Sequence, residues 1–294
     1  MRFYHVAFTP MSRIRLPFLV LAATVSLSLT ASPAAGGRDA PSGAAASSSA
    51  PASLALAQPM TASASAQSAT PVATTTASAG SAAIAAPMLA ALMAQAPTVD
   101  AEALGLALKA RNCAVASGQA RPEANLTLID YSRPSTEPRM WVFDLNDQRV
   151  LYTEHVAHGR NTGHNMATSF SNVEGSYQSS LGLFATAESY VGSNGYSMRM
   201  DGLEPGINDA ARARAIVIHG APYVNPEQAQ RQGRLGRSLG CPALRQAVSR
   251  EVIDTIKDGH LVFAYYPDQK WLASSRFLDC PSNQLAAVES TTRG

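Results

Sequence analysis

From Gly36 to Pro97 the chain is written almost entirely in alanine, serine, threonine and proline, and no charged residue stands between Asp39 and Asp100. A stretch with so few large apolar side chains cannot bury enough surface to offset the entropy of ordering it. It therefore reads as a disordered tether rather than part of a core. A short apolar patch, Ile84 to Met93, adds a helical turn or two at most. Whatever packs must come from about residue 98 onward, a length that suits one domain. Such a tether reads equally as a spacer that lets a domain search a volume and as a by-product of a GC-rich genome.

Residues 1–35 have the order of an export signal. Arg13 and Arg15 are basic, Leu16 to Leu29 is apolar, and Ala31-Ser32-Pro33-Ala34-Ala35 is small. The apolar run is short for a membrane span and is interrupted by Thr24, Ser26 and Ser28, although an uncleaved anchor is the competing reading. The expected address is an exported one, the periplasm or cell-wall space. A formal charge of +2 gives no argument for nucleic acid. Of the three cysteines, Cys113, Cys241 and Cys280, an oxidising compartment favours pairing two. A Cys113–Cys280 bridge would staple the tail to the first helix and leave Cys241 free. The alternative is a pair of buried, unpaired thiols.

Strand patterns dominate the remainder. Asp100 is suited to cap a helix over Ala101 to Ala116. Leu126 to Tyr131 reads as a strand, and Met140 to Leu145 with Val150 to Val156 reads as a hairpin. Leu181 to Ala187 is a further strand. The continuous apolar run Ala215 to Ile218 predicts a strand buried on both faces that delivers His219 at its end, with Gly220 allowing a sharp turn. Ser249 to Lys257 predicts a short helix ended by Gly259, and Leu261 to Tyr266 a last buried strand. The expectation is two helices at most.

His219-Gly220 and Ser238-Leu239-Gly240-Cys241-Pro242 carry the chemistry. A thiol is a weak nucleophile until deprotonated, and an imidazole on a rigid strand end is a suitable base. The amides of Leu239, Gly240 and Cys241 are candidates for an oxyanion hole. Pro242-Ala243-Leu244 could begin a helical turn, whose amide dipoles would favour the thiolate. Arg234 and Arg237 are placed to attract a carboxylate. His155, His158, His164, His219 and Cys241 are possible zinc ligands, but neither a CxxC pair nor HExxH is present, so no metal or other cofactor is expected.

The segment Gly233 to Ala243, with Ile216-Val217-Ile218-His219-Gly220 before it, resembles the murein L,D-transpeptidases of the YkuD type, and more closely the murein L,D-transpeptidase catalytic domain subgroup. Trp141 to Leu145, Val156 to Asn161, Ala167 to Asn172 and Gly202 to Gly206 fit the same subgroup. The likeness spans about Ala101 to Asp268. It implies a mainly β sandwich or barrel with a few short helices, and a cysteine acylated by the stem peptide of peptidoglycan. Carried over, Cys241 is the nucleophile, His219 the base and Gly220 the residue whose carbonyl orients the imidazole. Ser238, Leu239 and Gly240 line the nucleophile loop, and Arg237, Arg234, Tyr177 and His158 are the candidates for substrate contact.

Two departures stand out. Many members carry a second histidine where Leu239 stands, and an arginine–asparagine pair where Pro242 and Ala243 stand. His219 is then the one evident proton acceptor of the motif, and the expected carboxylate anchor is absent. The expected reaction is release of D-alanine from a tetrapeptide stem and transfer of the acyl group to an amine, on a second stem or a wall-anchored protein. The alternatives are a hydrolase using the same thioester and a non-catalytic wall-binding module. The expected divisions are 1–35 signal peptide or anchor, 36–97 linker, 98–268 catalytic domain and 269–294 a tail packed on or trailing the domain.

Overall fold

The computed structural model describes residues 78–280. In chain order these form α1 (Ser78–Gln95), α2 (Ala101–Ala116), β1 (Leu126–Asp130), β2 (Met140–Asp144), β3 (Arg149–Glu154), β4 (Val156–Ala157), β5 (Gly182–Gly192) and β6 (Gly195–Gly202). They continue with β7 (Val217–Ala221), α3 (Pro226–Gln232), β8 (Ala243–Arg245), α4 (Gln246–Ile256), β9 (Leu261–Tyr265) and α5 (Gln269–Ser274). The nine strands make one sheet in the order β3-β2-β1-β9-β5-β6-β7-β8-β4.

The edges explain why this sheet behaves as a barrel. β3 forms one edge and β4 the other, yet only His155 separates them in sequence. The chain therefore passes from one edge to the other, and the sheet curls nearly closed. Glu154, the last residue of β3, takes both Nε and an Nη of Arg245, the last residue of β8, at 2.8 and 2.6 Å. This forked pair ties the seam.

β1 and β9 pair in parallel, and all five residues of each are buried. One face lies in the barrel interior and the other under α2, which accounts for the continuous apolar run of β9 and the mostly apolar one of β1. Asp100 caps α2 by accepting from Ala103 N–H at 2.9 Å. The cross-link between Cys113 on α2 and Cys280, 167 residues apart, brings the chain after α5 back onto this helix. On a loop-entropy argument such a link contributes roughly 2–5 kcal/mol.

Several expectations are corrected. The stretch read as linker ends in a full helix, α1. Leu92 is buried without remainder, and Gln95 donates to Gln148 O at 2.6 Å and accepts from Val150 N–H at 3.2 Å, covering the β3 edge. The few apolar residues there suffice because α2 and β3 supply the other half of the contact. The rest of the expected linker, the export signal and residues 281–294 lie outside the described residues. The strand after Leu181 runs to Gly192 and turns at Ser193-Asn194 into β6, an element the sequence reading omitted. With α1, α3 and α5 added, five helices are described rather than two. Among the described residues no helix is long and apolar enough to cross a membrane.

Candidate active site

Strand β7 places His219 in a ladder between β6 and β8, opposite Ser197 on one side and Ala243 on the other. The histidine thus lies inside the strand, not at its end. Its Nδ1 is 3.1 Å from Gly220 O. A carbonyl only accepts, so Nδ1 carries the proton and Nε2 keeps its lone pair. Burial pushes the His219 pKa down, opposed by the bond to Gly220, so the ring is neutral at pH 7. Gly220 serves close packing rather than a turn: a Cβ there would come within 2.3 Å of Ser249 Oγ on α4.

Cys241 is the free cysteine among the three and is partly exposed. Its Sγ accepts from Val217 N–H at 3.4 Å and lies 3.7 Å from Ala215 O. The thiol is therefore seated against the start of the strand that carries His219. Burial pushes its pKa up, while the Val217 amide and the Arg214 guanidinium pull the other way. The residues after it form β8, parallel to β7, and not the helical turn expected at Pro242. Among the described residues, the chain after Cys241 enters β8 and reaches a helix only at Gln246. Cys241 lies two residues before β8, the strand that runs parallel to β7 and pairs Ala243 with His219.

The loop before Cys241 is pinned by polar groups from two distant segments. Ser238 N–H donates to His158 O at 3.0 Å, and Arg160 N–H donates to Ser238 O at 2.8 Å. Ser238 Oγ donates to Cys241 O at 2.6 Å and accepts from Gly240 N–H at 3.1 Å. The Gly240 amide is thereby committed to Ser238 Oγ. Ser179 Oγ joins the segments, accepting from Gly159 N–H and donating to Gly240 O, each at 3.0 Å. Gly240 has φ 128°, and a Cβ there would lie 2.9 Å from Gln178 O, so this position requires glycine.

His158 is corrected from a substrate contact to a buried support. It is 1% exposed, takes a hydrogen bond from an Arg139 Nη at 2.8 Å on Nδ1, and faces Gly163 O with Nε2 at 3.4 Å. Burial and the Arg139 charge push its pKa down to about 3. Arg139, itself fully buried, donates also to Val156 O and Arg133 O and lies 5.2 Å from the Tyr131 ring centroid. This guanidinium underpins the loop cluster.

Other candidates separate. Tyr177 sits beside the loop with φ 54° and its ring under the Arg160 guanidinium at 4.0 Å. Its carbonyl would lie 2.4 Å from a Cβ on Gly159, which explains the glycine there. Arg237 donates through Nη1 to Arg160 O and Gly163 O, and Arg234 to Leu235 O. The cation whose charge acts on the thiol is neither of these but Arg214, which the sequence reading missed. No spacing rule flags it, since its partners are scattered over residues 171–180. Leu239 is 59% exposed at the rim beside the cysteine. Among the described residues no three His, Cys, Asp or Glu side chains converge as a metal site.

The barrel-like sheet thus sets one free thiol in the loop that enters β8 and a buried histidine on the neighbouring strand β7. The chain belongs to the L,D-transpeptidase catalytic domain family, whose model matches residues 95–265, more than half of its length. Among curated proteins no sequence matches. Solved structures that resemble it include an L,D-transpeptidase from Mycobacterium smegmatis, at 14% identity and TM-score 0.31, covering 49% of this chain and 59% of that one. Another is an Enterococcus faecium L,D-transpeptidase, at 16% identity and TM-score 0.31, with 49% and 50% covered. A third is L,D-transpeptidase 3 of Mycobacterium tuberculosis, at 15% identity and TM-score 0.28, with 49% and 61% covered. This chain thus spans between half and two thirds of the length of these structures, and at such TM-scores the likeness carries no part of the argument.

Proposed function

We propose that this protein is an exported L,D-transpeptidase that works through a thioester between Cys241 and a peptidoglycan tetrapeptide stem. The observation that carries this reading is one free thiol in the loop entering β8, beside the parallel strand that carries His219, whose Nδ1 is committed to Gly220 O. His219 Nε2 takes the thiol proton. The sulfur attacks the carbonyl of the bond to the terminal D-alanine, with the Leu239 and Cys241 amides facing the oxyanion. The imidazolium returns its proton to the leaving nitrogen, the carbon–nitrogen bond breaks, and D-alanine departs. An amine from a second stem, or from a wall-anchored protein, then attacks the thioester; its proton passes to His219 and the thiol is regenerated.

Burial disfavours the charged form of both the thiol and the imidazole, so this is general-base chemistry rather than attack by a preformed ion pair. Export to the periplasm or cell-wall space fits the substrate and the disulfide. The test is incubation of the full chain with purified tetrapeptide muropeptides. Dimeric muropeptides and free D-alanine, both absent with Cys241→Ala, are the expected result. Trimmed monomers without dimers would assign water as the acceptor, and unchanged muropeptides would overturn the reading.

A further inference from the structure

Arg214 stands in the segment just before β7 and is half-buried. Its Nη1 donates to Ser171 O and Ser180 Oγ, both at 2.6 Å. Its Nη2 donates to Gln178 O at 2.7 Å and Ser176 Oγ at 3.2 Å. All four acceptors are neutral oxygens. A guanidinium partly withdrawn from water and bonded to neutral dipoles is held in place without being neutralised, a cost that an anion arising beside it would offset.

The geometry says where that anion forms. Nη2 lies 3.6 Å from the point a Cβ on Gly240 would occupy, so the guanidinium lies against the backbone of the nucleophile loop, one residue from the thiol. The thiol in turn faces the carbonyl of Ala215, the residue next to Arg214. Among the described residues, Cys241 is the one ionisable group whose charge acts on Arg214. The other ionisable groups close to the sulfur carry no charge at neutral pH. Tyr131 and Tyr223 are both pushed up to about 12, chiefly by burial, and His219 is neutral until it accepts the thiol proton.

We propose that Arg214 is a fixed counter-charge for the Cys241 thiolate, clamped by the serines and carbonyls of residues 171–180. It is a positioning and electrostatic residue that rests on the reading of Cys241 as nucleophile. When His219 removes the thiol proton, the negative charge appears on Sγ beside a cation already oriented, so little reorganisation accompanies the step. This role is distinct from the carboxylate anchor that is missing at Pro242 and Ala243. The positive charge near the cysteine comes from before the histidine strand instead of from after the cysteine. Arg234 and Arg237, half-buried and tied to the backbone carbonyls of Leu235, Arg160 and Gly163, do not take this part.

The test reads the pH profile of Cys241 alkylation by iodoacetamide in the full chain under non-reducing conditions, where Cys113 and Cys280 are protected by their bond. Arg214→Gln keeps a polar side chain but removes the charge, and its midpoint should rise by about one pH unit, with alkylation at pH 7 about tenfold slower. Arg214→Lys keeps the charge while losing the fork, and should restore most of the shift. A midpoint in Arg214→Gln equal to that of the unaltered chain overturns the proposal. So does an equal rise in both variants, since that outcome assigns Arg214 to clamping alone. Should Arg214→Gln not fold, the 15Nε resonance of Arg214 in the unaltered chain is followed instead. It should move with the thiol midpoint, and a flat resonance across that range contradicts the pairing. Alkylation needs no wall substrate, so a failure of the transpeptidase reading leaves this result standing, and the reverse.

Discussion

On one side of Cys241 stands β7, which carries His219 in a ladder paired on both edges. On the other side, residues 158–163 and 171–180 form no long regular element. They are held by serine hydroxyls, backbone carbonyls and the guanidinium groups of Arg139, Arg214 and Arg237. The strand wall positions chemistry through repeated backbone hydrogen bonds that tolerate many side chains. The irregular wall depends on single side chains, each of which leaves a buried donor or acceptor unpaired when removed. Substitutions on the strand wall should therefore change turnover with the fold intact, while those on the irregular wall should change stability and turnover together.

The largest effect is expected on the strand wall. His219→Ala should lower turnover by about 10²–10⁴-fold with a melting temperature close to that of the unaltered chain, read by muropeptide assay and calorimetry. A large loss of stability in that variant would erase the contrast. Next comes Arg139→Met. Removing a fully buried guanidinium with partners at Val156 O, Arg133 O and His158 should cost about 3 kcal/mol, lowering the melting temperature by about 6–12 °C.

The third prediction concerns pH and the same wall. His158 has its folded pKa depressed to about 3, well below the unfolded value of about 6.5. Between these values the unfolded chain binds the extra proton and the folded one does not, so stability falls as pH drops through that window. The slope from this residue is at most about 1.4 kcal/mol per pH unit. Denaturant titrations at pH 6.5, 5.5 and 4.5 should show the fall, flattened in His158→Gln. A slope unchanged by that substitution would remove His158 from the account.

A smaller effect, about 1–2 kcal/mol with a modest loss of turnover, is expected for Ser179→Ala, which strips the acceptor from Gly159 N–H and the donor from Gly240 O. The smallest lies away from both walls. Glu154→Gln at the barrel seam should cost about 1 kcal/mol without altering turnover, because its fork to Arg245 is partly solvated.

The contrast also explains what was legible in the sequence. Apolar runs such as Leu126 to Ile129 and Leu261 to Tyr265 signal strands buried on both faces, and Asp100 announces the α2 start through its cap. β6 was missed because its residues, Tyr196 to Gly202, mix serine, arginine and aspartate with two methionines, and its pairing with β5 is what makes it a strand. α1 was missed as a full helix because alanine-rich sequence carries little periodicity until a partner surface is known. In the site, His219 and Cys241 stand in short motifs beside glycines, which are visible in one dimension. Arg214 and Arg139 are not, since their partners lie 34–43 and 6–19 residues away at no regular spacing and only the fold collects them. The same absence made His158 look like a surface ligand, when its ring is a buried brace.

The account's central claim is that Cys241 carries the stem acyl group. Intact-protein mass spectrometry of the full chain, quenched in acid after brief exposure to tetrapeptide muropeptide, tests it directly. The prediction is an added mass equal to the stem less its terminal D-alanine, located on Cys241 by fragmentation and absent in Cys241→Ser. An unmodified chain in the presence of turnover, or an adduct on any other residue, would contradict it.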